Sequence, residues 1–111
     1  MDLSLIVRTV GDRAVLGVIG EVDAYSAPAL RDRLTELLTA AEPSLIVDLT
    51  EVSFLDSTGL GTLVTGLNQA VQFGGTLTLV CEHERILKLF RITGLDSVFA
   101  IRATVDEALA G

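Results

Sequence analysis

Leu55, Asp56, Ser57, Thr58, Gly59, Leu60 and Gly61 set a carboxylate and two hydroxyls beside two glycines, where a polar segment passes into an amphipathic one. Two chemistries fit this run. In the first, Ser57 or Asp56 accepts a backbone N–H from the opening turn of a helix, a contribution of about 0.5 to 2 kcal/mol. In the second, the Ser57 hydroxyl is presented to another protein, because Gly59 and Gly61 have no side chain to obstruct close approach. A phosphate on Ser57 would be favoured by the free amides and partial positive charge of a helix N-terminus. It would also add about −1.5 to −2 charges next to Asp56 and near Asp23, altering any interface formed there. A change of about 3 kcal/mol would alter affinity about a hundredfold, which suffices for a switch.

Enzymatic uses of the same residues lack their other parts. A serine nucleophile needs a neighbouring base, but the chain has one histidine, His83, which reads as decorating the start of a helix. Asp56 flanks Ser57 where the glycine-rich elbow of hydrolases would run. The Gly59-Leu60-Gly61 run has Val64 in place of the third glycine of a dinucleotide fingerprint, and no lysine follows as a phosphate loop requires. Cys81 ends an alternating apolar run and reads as core, without a second cysteine to complete a metal site. Asp48, Glu51 and Asp56 read as solvated acids rather than a cation site. The chain is therefore expected to be no enzyme and to carry no cofactor or metal of its own.

Eight basic and fifteen acidic side chains give a net charge of −7, which repels a polyanion at long range, and five scattered aromatics form no base-stacking platform. Nucleic acid is not an expected partner. No apolar run reaches the length of a membrane span, and Met1-Asp2 begins no signal segment, so no direct membrane insertion is expected. One cysteine allows no internal disulfide, in keeping with a reducing compartment, and the expected location is cytoplasmic.

The elements that must position Ser57 follow from periodicity. Leu3, Leu5 and Val7 alternate with Ser4, Ile6 and Arg8 as in a strand, and Gly11-Asp12 turns into a second, doubly buried strand over 14–22. Ser26 is placed to cap a helix starting near Pro28, with Leu30, Leu34, Leu37 and Leu38 on one stripe and Pro43 as its stop. A buried strand over 44–49 leads into a loop over 50–56. A second helix then carries Leu60, Leu63, Val64, Leu67 and Val71, and ends at Gly74-Gly75. A strand over 76–81, a helix with Ile86, Leu87 and Phe90, a short strand over 98–101 and a last helix boxed by Thr104 and Glu107 complete the chain.

The order β-β-α-β-α-β-α-β-α predicts one α/β domain over 1–111, with a mixed, mainly parallel sheet and about four helices. Loops leaving the carboxyl ends of parallel strands lie on one side, so Asp23 and the segment ending at Ser57 are expected to converge.

The glycine-Glu21-Val22-Asp23 sequence and the run VDLTEVSFLDSTGLG over 47–61 resemble the STAS domain of bacterial anti-sigma-factor antagonists. The resemblance continues through FGGTLTLV at 73–80 and LKLFRITGLDSVF at 87–99. It implies a STAS fold and a binding module with two forms. The unmodified form binds an anti-sigma factor, commonly a serine kinase, and so frees a sigma factor. That kinase phosphorylates the serine corresponding to Ser57, and a PP2C-type phosphatase restores it. ATP and magnesium belong to the kinase. By the same resemblance Asp23 and Asp56 contact the kinase and tune the local field; Thr58 stands where the family varies, and its own hydroxyl makes it a candidate second acceptor. The alternative it leaves is a constitutive STAS subunit of a membrane lipid-transport or stress-sensing assembly.

Overall fold

The computed structural model describes residues 2–40 and 44–110, so the expected helix stop at Pro43 lies outside the described residues. Its sheet follows chain order: β1 (Leu3–Val10), β2 (Arg13–Val22), β3 (Leu45–Leu55), β4 (Leu77–Val80) and β5 (Ala100–Arg102). Only β1 runs antiparallel to its neighbour, joined to β2 by the two residues Gly11 and Asp12. Gly11 has φ +64°, a left-handed conformation that a tight hairpin uses and that glycine adopts without strain.

Because each parallel crossover steps in the same direction, the right-handed rule sends successive helices to the same face. Helices α1 (Ala27–Leu38), α2 (Ser57–Gln72) and α3 (Glu84–Ile92) all bury side chains in one large core with Leu16, Val47 and Leu79 of the sheet. The six-residue α4 (Val105–Ala110) lies on the other face, where Ala108 packs on Val15, Ile46 and Val80. Phe90 of α3 meets Phe99 edge to face at 5.7 Å and closes the core beneath β5.

Several expectations change in the structure. Ser26 precedes α1 but makes no side-chain cap, because its Oγ is committed to Glu21 O and to the N–H of Asp23. Val71, placed on the buried stripe of α2, is 65% exposed, while Leu60, Leu63 and Ala70 are buried. The short strand begins at Ala100 rather than at 98, since the amides of Val98 and Phe99 still bond back to Leu95 O after a 3₁₀ turn over Leu95–Ser97.

The largest difference is at 50–55, expected as loop and found as the second half of β3. Against β2, the step from Gly17 to Ile19 is matched by Asp48 to Glu51, and the step from Gly20 to Glu21 by Val52 to Phe54. Each is a bulge with one extra β3 residue, which bends a strand and breaks its two-residue period. Inward-facing Leu49, Val52 and Leu55 consequently recur every third residue. Pairing with β4 ends at Asp48, so the bulged half of β3 runs on alongside β2 to the start of α2.

Candidate functional site

At the carboxyl ends of β2 and β3, Val22 pairs with Leu55 and the amide of Asp56 donates to Val22 O at 3.3 Å. The segments leading to Asp23 and to Ser57 thus start side by side. Asp56 is the N-cap of α2: its backbone is extended, and its Oδ1 accepts from the N–H of Gly59 at 3.0 Å. Ser57 is the first residue of the helix and is exposed, and among the described residues its hydroxyl makes no hydrogen bond. Asp56 therefore caps the helix and leaves Ser57 Oγ available.

The neighbours of Ser57 divide by what lies beneath them. Thr58 is exposed, and its carbonyl accepts from Thr62 Oγ1 at 3.0 Å. Gly59 is buried, and a Cβ there would lie 2.5 Å from Leu55 Cδ1, 2.9 Å from Val22 Cγ1 and 3.1 Å from Val22 O. Its lack of a side chain serves the packing of α2 onto the strand ends, not access from outside. Gly61 is exposed with nothing within 4 Å of such a Cβ, so it alone of the two glycines keeps the outer surface low.

Asp23 is occupied by its own loop. Its Oδ1 accepts from the N–H groups of Tyr25 at 3.0 Å and Ser26 at 2.9 Å, and lies 3.1 Å from Ser26 Oγ. Ser26 Oγ in turn donates to Glu21 O at 2.8 Å and accepts from Asp23 N at 3.0 Å. These bonds, the backbone N–H of Ser26 foremost, hold the Asp23 carboxyl below its ordinary value of 3.8. The loop fixes Tyr25 with 86% of its surface exposed. Sequence reasoning passed over this residue as one of a few scattered aromatics. Its position two residues beyond Asp23, in a polar and turn-rich stretch, was the available signal. Phe54, 45% exposed two residues before Asp56, was missed for the same reason.

The other residues weighed for chemistry are engaged locally or buried. His83 caps α3, its Nδ1 accepting from Arg85 N at 3.2 Å. Cys81 is buried, and burial pushes its thiol pKa up. Asp48 is engaged by the N–H of Thr50 at 3.0 Å and by the Thr50 hydroxyl, and Asp56 by its cap. Among the described residues no group of three His, Cys, Asp or Glu is arranged to hold a metal, and no helix is long and apolar enough to cross a membrane.

Comparison with known proteins gives the same architecture over nearly the whole chain. Residues 4–108 match the family model for the STAS domain. An anti-sigma-B factor antagonist of Bacillus subtilis is 37% identical over 103 residues, covering 93% of this chain and 94% of that protein. The crystal structure of an anti-sigma factor antagonist from Mycobacterium paratuberculosis superposes with TM-score 0.90 at 29% identity, covering 98% of this chain and 92% of the other. The Bacillus cell fate determinant SpoIIAA in its phosphorylated form shares the fold, with TM-score 0.73 at 23% identity over 96% of this chain and 97% of that one.

Proposed function

The chain belongs to the STAS domain family, and from that premise we propose that it is an anti-sigma-factor antagonist switched at Ser57. In the unphosphorylated form the surface formed by Asp23, Asp56, Ser57, Thr58 and Gly61, with buried Gly59 holding the helix close to the strand ends, docks an anti-sigma factor that is itself a serine kinase. Docking releases a sigma factor for transcription. The observation that carries this reading is the free hydroxyl: Ser57 is exposed at the head of a sixteen-residue helix whose cap is made by its neighbour. The nearly full-length match to an antagonist supports it over a subunit of a transport or stress-sensing assembly.

The switching step is a phosphoryl transfer performed by the partner. Ser57 Oγ bonds to the γ-phosphorus of ATP as the bond to the departing ADP oxygen breaks, and the hydroxyl proton passes to a base on the kinase. Kinase-bound ATP and magnesium supply the chemistry, while this chain presents the acceptor at a fixed place. The added dianion lies in the field of the helix N-terminus, which favours it, yet beside two carboxylates that a partner tolerating Ser57 must already accommodate. Hydrolysis by a PP2C-type phosphatase returns the serine and inorganic phosphate. Function as a protein acceptor and docking module, with no catalysis of its own, follows from this division of labour, as does a cytoplasmic location beside the transcription machinery.

The test is incubation with the cognate anti-sigma kinase and ATP, with phosphate located by mass spectrometry and binding followed by calorimetry. Phosphate is expected on Ser57 and affinity is expected to fall. Phosphate found only at other residues, Thr58 included, or binding indifferent to modification, would refute the proposal.

A further inference from the structure

At the end of the sheet remote from Ser57, where the parallel strands begin, the surface opens into a cavity of about 310 Å³. Leu67 and Val71 of α2, Leu77 of β4 and Val98 give it aliphatic walls, and no aromatic ring lines it. Val71 and Val98 are 65% and 52% exposed, far more than the apolar side chains of the core. Arg13 and Arg102 also line the cavity, whereas no carboxylate among the described residues does. In a chain of net charge −7 this is a local inversion of sign. Neither arginine takes part in an ion pair among the described residues. Among the described residues Arg13 Nε is buried without a hydrogen-bond partner, and the hydrogen bond of the Arg102 guanidinium goes to Ile101 O at 3.1 Å.

We propose that this basal pocket binds a small amphipathic anion, a carboxylate or phosphate headgroup on a short aliphatic chain. Guanidinium groups present donors in a planar fork suited to both headgroups. The aliphatic walls suit a saturated chain. Without an aromatic surface there is no platform for a nucleobase. The volume lies at the small end of ligand pockets, which run from about 300 to 1,000 Å³, and limits the chain to one of about octyl size. The site is at the opposite end of the parallel strands from Ser57, so it leaves the docking surface clear.

The test is titration of the full-length ¹⁵N-labelled protein, following the amides of Thr76, Thr78 and Val98. Octanoate and octyl phosphate serve as complete ligands, acetate and inorganic phosphate as headgroups alone, and 1-octanol as a chain alone. At least one complete ligand is expected to saturate these amides with Kd below about 1 mM, and the fragments to bind at least about tenfold more weakly. Arg13→Gln is expected to weaken the complete ligand about tenfold, and Arg102→Gln, at an exposed position, provides the same reading if the first variant is unstable. Absence of saturable shifts with both complete ligands, equal binding by 1-octanol or by the headgroups alone, or an affinity unmoved by the arginine substitutions would overturn the proposal.

Discussion

The loop after β2 and the segment after β3 each carry an aspartate followed closely by a serine, Asp23 with Ser26 and Asp56 with Ser57. In the first, both side chains are turned into the fold: Ser26 is buried, and its hydroxyl joins Glu21 O to the amide and carboxylate of Asp23. In the second, only the aspartate is used, and the serine stays outside the network. A spacing of one residue rather than three sets the outcome. The closer serine becomes the first helical residue and stays exposed, whereas the serine three residues on reaches back across its own loop. Residue type alone therefore does not mark an acceptor. What sets the proposed acceptor Ser57 apart is a hydroxyl whose structural work has been taken over by a neighbour.

The contrast can be broken most directly at the binding surface. Since Asp56 makes the cap, Ser57→Asp is expected to fold normally and to lose about a hundredfold or more in affinity for the anti-sigma factor, about 3 kcal/mol, by calorimetry. Binding within threefold of the parent would remove Ser57 from the interface. Next in size, Ser26→Ala leaves Glu21 O and the Asp23 amide without their partner in a buried position, and urea denaturation should show a loss of about 1 to 3 kcal/mol. Ser57→Ala should stay within about 0.5 kcal/mol of the parent in the same measurement. Equal losses would mean that both serines are structural.

Removing the cap with Asp56→Ala should lower stability by about 1 kcal/mol, with Asp56→Asn recovering most of it, as read from chemical denaturation. The smallest effect is on pH dependence. The Asp23 carboxyl is held below 3.8 by its loop, so its contribution is present in full above that value and disappears as pH falls through its lower folded value. Asp23→Asn should flatten the acid limb of a stability profile taken below about pH 4. An unchanged limb would detach Asp23 from the loop network.

Much of this architecture is legible in the sequence because its elements obey one period each. Leu30, Leu34 and Leu38 mark a helix without ambiguity, and Thr104 with Glu107 marks the start of another, where Thr104 Oγ1 accepts from Glu107 N at 3.1 Å. The stretch at 50–55 was illegible for the opposite reason. Two bulges stretch its inward period to three, which matches neither strand nor helix, and long-range pairing with β2 rather than local preference makes it a strand. At the site, the run around Ser57 was plain in the sequence, but the division of roles was not. Whether Asp56 or Ser57 caps depends on one dihedral choice at the end of β3, and Gly59 is glycine because of side chains on two other segments.

The one-sided pairing of β3 has a mechanical meaning. Beyond Asp48 the strand is a cantilever, clamped along one margin by β2 and without a strand partner along the other, with Ser57 just past its tip. A partner arriving at Ser57 would meet a helix head seated at the end of the β2–β3 ladder, while the body of α2 packs back against Leu34 and Leu77.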